Sequence, residues 1–170
     1  DIKPENILIT KHLEVKIADF GLTSLITGED GNGNFSSWWV GSPPYWSPEI
    51  VGGYEYNGTR ADLYALGITL FIMVFGCRPF EKADMSNSLF SLLLENPVKF
   101  WKTHPVTYKR IMERTISVET LDLLTKMLLV NPENWLTLEQ IKEHSFYKNS
   151  PFNWEKLESC KHINQIRVKA

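Results

Sequence analysis

The sequence predicts a mainly α fold, a helical bundle carrying one short β-hairpin, and three features predict it. Ile7, Leu8 and Ile9, then Val15 and Ile17 in alternation beyond a polar turn near Thr10 to His12, have the pattern of two short antiparallel strands. The stretch Ala61 to Gly76 is apolar on all faces, as a helix at the centre of a core is. Downstream of it, apolar residues recur at helical spacing between capping residues and prolines.

In an antiparallel pair the start of the first strand lies beside the end of the second, so Asn6 and Asp19 are expected to come together. From Gly21 to Gly41 the chain is rich in Gly, Ser, Thr and Asn, with Gly28, Gly31 and Gly33 around an acidic pair. Such long polar loops are usually functional or disordered. The G-N-G within it is a turn signal, and no helix start follows it to make a phosphate loop. Helical patterning resumes beyond Pro48. Ser86 to Glu95 reads as a short helix ended by Pro97, and Val118 to Val130 places Leu121, Leu124 and Leu128 on one face before Pro132. Thr137 with Gln140 forms a capping box for a helix carrying Leu138 and Ile141. The pattern dissolves from Asn149, so the expected division is a domain over 1–148 and an extension over 149–170.

Composition fits one compact domain: 170 residues, 43% hydrophobic and 22% charged. Net charge is −2 and no block of like charges occurs, which argues against a nucleic-acid or membrane-surface binder. The two cysteines, Cys77 and Cys160, are far apart, with no zinc or disulfide pattern, so a reducing, cytoplasmic setting is expected. The uncharged stretch Leu63 to Cys77 falls short of the roughly 18 residues of a membrane span and reads as a buried helix.

Asp1-Ile2-Lys3-Pro4-Glu5-Asn6 places a carboxylate, an ammonium and an amide in one loop directly before the hairpin, and Asp19-Phe20-Gly21 follows it. Phosphoryl transfer asks for this set: an acceptor hydroxyl held in line, countercharge on the phosphates, and hard oxygen ligands for magnesium. With Ser47-Pro48-Glu49 as a third element, the chain resembles the eukaryotic-type protein kinases, whose catalytic loop H-R-D-x-x-x-x-N precedes D-F-G and A-P-E. Gly41-Ser42-Pro43-Pro44-Tyr45, Asp62-Leu63-Tyr64-Ala65-Leu66-Gly67, Arg78-Pro79-Phe80 and His144-Ser145-Phe146 extend the resemblance to about residue 148. The fold it implies is the C-terminal lobe of a two-lobed α+β domain, entered at the catalytic aspartate.

The resemblance implies that Asp1 is the base for the substrate hydroxyl, that Lys3 neutralises the transferring phosphate, and that Asn6 and Asp19 hold Mg2+. It implies ATP as phosphoryl donor and protein serine or threonine as acceptor, with Ser42 in the loop that docks the acceptor and Glu5 contacting an upstream arginine. Asp62 is expected to tie the catalytic loop backbone to the central helix, and Glu49 to anchor the loop. Ser36 and Ser37 are candidate phosphorylation sites, displaced upstream because Trp38 holds the usual position; the pair Trp38-Trp39 is an alternative, hydrophobic anchor. The missing N-terminal lobe is the implied partner, and without its Gly-rich loop and lysine the segment alone is expected to be inactive and to expose apolar surface.

One departure stands out. Where the family has an arginine paired with the glutamate of A-P-E, this chain has Trp135 after Asn131-Pro132-Glu133-Asn134. Either Glu49 is exposed or paired with another cation, or the segment is loosely anchored, and the second is the expectation. The alternative function, a pseudokinase acting as a binding module, has that departure as its only support. The motifs G-S-P-P-Y and D-F-G-L lean towards the calcium/calmodulin-dependent-like groups.

Overall fold

The computed structural model describes residues 1–24, 35–36, 39–113, 115–129 and 136–150. A single 3-10 turn, Pro4–Asn6, leads into β1 (Ile7–Ile9) and β2 (Val15–Ile17); β3 (Phe35–Ser36) and α1 (Pro48–Val51) follow. Then come β4 (Tyr56–Asn57), α2 (Gly58–Phe75), α3 (Ser88–Glu95), α4 (Pro97–Thr103) and α5 (Thr107–Met112). The order closes with α6 (Val118–Leu128), α7 (Leu138–Glu143) and α8 (Ser145–Lys148), so the mainly α expectation holds.

The hairpin forms in the expected register, with Ile7 opposite Ile17 and Ile9 opposite Val15. Its tight end is closed by Leu13 in the left-handed region (φ 64°) and by Thr10, whose hydroxyl accepts from the amides of His12 and Glu14. Leu8, Ile9, Val15 and Ile17 are each more than half exposed, so the hairpin presents an apolar face. The loop beyond Gly21 is not wholly unpaired: Phe35 and Ser36 pair antiparallel with Asn57 and Tyr56.

Helix α2 is the scaffold. The Asn57 side chain caps it by accepting from the Arg60 amide, and Gly76, at φ 76°, ends it with a left-handed turn. Because it starts three residues before Ala61, α2 has 18 residues and passes for a membrane span by length and composition alone; its buried residues Tyr64, Ile68, Phe71 and Phe75 make it the core helix that the sequence implied. Its residues Tyr64, Ile68, Phe71 and Phe75 form the core with Phe80, Phe90, Leu93, Phe100, Trp101, Leu124 and Leu128. It is not apolar-buried all round, since Met73 is exposed. Gly67 permits α6 to approach closely: a Cβ there would lie 3.0 Å from Met127 Cβ and 3.2 Å from Leu128 Cδ2.

Pro97 ends α3 and also begins α4, because Asn96 serves both helices: its amide bonds Leu92 O, and its side chain accepts from Lys99 N at 2.9 Å. Trp101 stacks on Phe71 at 5.8 Å and donates its indole N–H to Thr125 Oγ1 at 2.8 Å, pinning α4 between α2 and α6. His104 is almost wholly buried; its Nδ1 accepts from Val106 N, and its ring also bonds the backbone of Arg78 and Pro79. The Thr137–Gln140 capping box of α7 is complete in both directions. His144 caps α8 with Nδ1 and therefore carries its hydrogen on Nε2, which donates to Asp122 Oδ2 at 2.9 Å.

Candidate active site

The loop before the hairpin and the loop after Gly41 meet at Asp1. Lys3 Nζ lies 2.6 Å from Asp1 Oδ2 and donates to Ser42 Oγ at 2.7 Å, while Ser42 N donates to Asp1 Oδ1 at 2.8 Å. The three residues, 39 or more positions apart in sequence at the Ser42 end, thus form one closed cluster. Gly41 makes the approach possible: its φ is 88°, and a Cβ would sit 3.3 Å from Asp1 Oδ1. The Trp46 indole, donating to Val40 O at 2.8 Å, braces the same loop. The side chains of Asp1 and Lys3 are only 8% and 21% exposed, so the carboxylate is held by fixed donors rather than by water.

Asn6 and Asp19 are brought together as the hairpin requires. Ala18 N donates to Asn6 O at 2.8 Å, which puts Asp19 one residue beyond the closing pair. Asn6 is buried, and its Nδ2 donates to Asp1 O at 2.9 Å, which leaves the amide oxygen as the atom free of this bond. Asp19 adopts φ 60°, unusual for a residue with a side chain, and its Oδ1 accepts from Gly21 N at 3.3 Å. Asp1, Asp19, Ser42 and Asp62 line one cavity of about 470 Å³ whose apolar walls include Ile2, Ile17, Phe20 and Trp46.

Among the described residues no group of three or more His, Cys, Asp or Glu could hold a metal ion. One exposed carboxylate beside one amide oxygen suits a cation that keeps several waters and takes further oxygens from a phosphate ligand, as magnesium does.

The protein kinase domain family matches residues 1–147. The chain belongs to that family. Among its relatives, the serine/threonine-protein kinase kin-29 of Caenorhabditis elegans is 36% identical over 146 residues, covering 85% of this chain and 16% of that protein. The carbon catabolite-derepressing protein kinase of Candida tropicalis is 36% identical over 148 residues, 87% of this chain and 21% of that protein. The sucrose non-fermenting protein kinase 1 of Fusarium virguliforme is 34% identical over 147 residues, with coverage of 86% and 19%. This kinase-domain chain therefore spans about a fifth or less of the length of these relatives. The lean towards a calcium/calmodulin-dependent-like group finds no support in them.

Other residues singled out in the sequence fall at varied distances from the kinase cluster. Glu5 is exposed, with the Tyr45 hydroxyl donating to its Oε2 at 3.4 Å, and burial followed by the Glu5 charge raises Tyr45 above the usual phenol range. Asp62 lines the cavity, where burial raises its carboxyl above the ordinary range, and among the described residues no hydrogen bond joins it to residues 1–6. Glu49 is the second residue of α1 and is partly buried, with Oε1 cut off from solvent and unbonded among the described residues. Ser36 contributes backbone to β3, whereas Ser37, Trp38, Trp135 and the 131–134 stretch lie outside the described residues. Sequence reasoning missed Ser47 and the buried hydroxyl of Tyr64, both unbonded near Glu49; a serine and a tyrosine in apolar surroundings carry no local signal of that kind.

Proposed function

We propose that the protein carrying this kinase domain transfers the γ-phosphoryl group of ATP to serine or threonine hydroxyls of protein substrates. The Asp1–Lys3–Ser42 cluster standing beside Asn6 and Asp19 carries this reading. Asp1 is oriented by the Ser42 amide on one oxygen and by Lys3 on the other, so an acceptor hydroxyl entering the cavity meets a fixed carboxylate. That hydroxyl gives its proton to Asp1 as its oxygen bonds the γ-phosphorus, and ADP leaves with the bond electrons. Lys3, already between Asp1 and the acceptor loop, is placed to neutralise charge on the transferring group. Asn6 and Asp19 would hold Mg2+, which supplies countercharge to the phosphates when bound. Glu5, exposed and tethered by Tyr45, is placed to favour a cationic residue in the substrate.

The names of the relatives support serine and threonine as acceptors. No observation favours a binding module without turnover, because Asp1, Lys3, Asn6 and Asp19 are all present and three of them share hydrogen bonds through the catalytic loop. The test is label transfer from radiolabelled ATP by the full-length protein to peptides with and without an upstream arginine. Magnesium-dependent transfer to serine or threonine, with an arginine preference lost in Glu5→Gln, is expected. A folded full-length protein that transfers no label to any peptide contradicts the reading.

A further inference from the structure

A second cavity, of about 500 Å³, lies between the end of α2 and the start of α3 and shares no residue with the catalytic cavity. Cys77, Phe80 and Leu89 give it apolar walls, and Arg78 and Glu81 give it charge. Both charged residues are exposed. Among the described residues neither forms an ion pair, with the other or with a neighbour, whereas Lys82 beside them pairs with Asp84 at 3.1 Å. One unpaired surface charge is ordinary. Two of opposite sign on one apolar cavity, left apart from each other, make a dipolar site.

The walls are fixed before any ligand arrives. Arg78 is followed by the buried Pro79, and the backbone of both residues bonds the buried His104 ring. Phe80 meets Phe90 of α3 edge-on, with ring centroids 5.1 Å apart. On the other wall the Asn87 side chain accepts from the amides of Leu89 and Phe90, both at 3.1 Å. The start of α3 is therefore already capped, and the charge offered to a ligand is that of Arg78 and Glu81. A preformed cavity loses little freedom on binding.

The cavity is continuous with the acceptor side of the catalytic cluster. The turn Pro43–Tyr45, directly after Ser42, packs on α2. Tyr45 holds Glu5, and its phenol, raised by burial and by Glu5, feels the Arg78 charge in the opposite sense. A chain that leaves Asp1 past Glu5 thus has Arg78 ahead of it. A lone phosphate would meet the like charge of Glu81, and a lone cation that of Arg78. A peptide bearing both signs matches both.

We propose that this cavity is a docking site for the protein substrate, taking a segment in which an apolar side chain stands between an acidic one, for Arg78, and a basic one, for Glu81. Naming the substrate as occupant rests on the phosphotransfer reading; the charge chemistry of the site does not.

The probes are the sequences Glu-Gly-Leu-Gly-Lys and Lys-Gly-Leu-Gly-Glu, whose alternate spacing puts three side chains on one face of an extended segment. Each is joined to a serine acceptor peptide by glycine linkers of graded length. Fluorescence anisotropy gives Kd and label transfer gives KM, both on the full-length protein. One of the two orders is expected to lower Kd and KM by about threefold to tenfold relative to Gln-Gly-Leu-Gly-Gln, the gain of two exposed ion pairs. Arg78→Glu combined with Glu81→Arg is expected to switch the preference to the other order, with the KM of the unextended acceptor peptide unchanged. A merely structural role for these residues would not reverse the preference. Should the double variant not fold, Arg78→Ala and Glu81→Ala are each expected to abolish it. Anisotropy is read without transfer, so a protein that docks these peptides yet transfers nothing counts against the phosphotransfer reading and leaves the site standing. Equal binding of charged and neutral extensions, or a preference that survives in the variants, overturns the proposal. So does a dimer of the full-length protein that Arg78→Ala dissolves, which would give the cavity to a second copy.

Discussion

Lys3→Met tests whether the ammonium at the centre of the cluster acts through its charge. Lys3 Nζ sits between Asp1 Oδ2 at 2.6 Å and Ser42 Oγ at 2.7 Å, and methionine fills similar space without charge or donor. An exposed ion pair is worth about 0–1 kcal/mol, and breaking a buried one costs about 3–5 kcal/mol. Asp1 is 8% exposed but keeps the Ser42 amide at 2.8 Å, so the loss falls between these limits, at about 2 kcal/mol. Removing one prearranged electrostatic donor from a transition state costs about 10²–10³ in kcat, so turnover is expected to suffer more than stability. Lys3→Arg keeps the charge, yet its planar fork cannot place one nitrogen between two oxygens in the same way, so an intermediate rate is expected. Urea unfolding and steady-state peptide phosphorylation on the full-length protein measure both quantities. A folded Lys3→Met protein with kcat within about threefold of wild type would refute the argument, as would identical rates for the arginine and methionine variants.

Two further outcomes follow from the core. Gly67→Ala puts a methyl group 3.0 Å from Met127 Cβ, and overpacking of about 1–3 kcal/mol should outweigh the roughly 1 kcal/mol gained in helix propensity; a variant more stable than wild type in denaturant would show that α6 moves away freely. Burial pushes the pKa of His104 below its ordinary 6.5, against the raising effect of its bonds to Arg78 and Pro79. The unfolded chain then binds a proton that the folded one refuses, so stability should fall as pH drops below about 6.5 and level off at the folded value. Replacing His104 with Gln should flatten that slope between pH 7 and pH 5.5; an unchanged slope would remove His104 as its cause.

Much of the fold was readable because its signals are local. Alternation at Ile7–Ile9 and Val15–Ile17 implied the hairpin, and the hairpin in turn implied that Asn6 and Asp19 meet, which the Ala18–Asn6 bond shows. The Thr137–Gln140 box needs only four residues and was found complete. What escaped depends on distant partners or on residues that serve two elements. Pro97 reads as a stop, yet Asn96 turns it into the first residue of α4. The β3–β4 pair is two residues long, too short for any periodicity. For Glu49 the sequence pointed to a missing arginine, and the structure adds that Oε1 is buried and unbonded among the described residues, which no spacing rule announces.

Asp1→Asn in the full-length protein, with kcat and the KM for ATP measured together, reaches the central claim most directly. The amide keeps the shape and an acceptor for the Ser42 N–H but cannot take the hydroxyl proton. A fall in kcat of about 10²–10⁴ with the KM for ATP little changed is the predicted result. Turnover retained by the folded variant would mean that Asp1 is not the base.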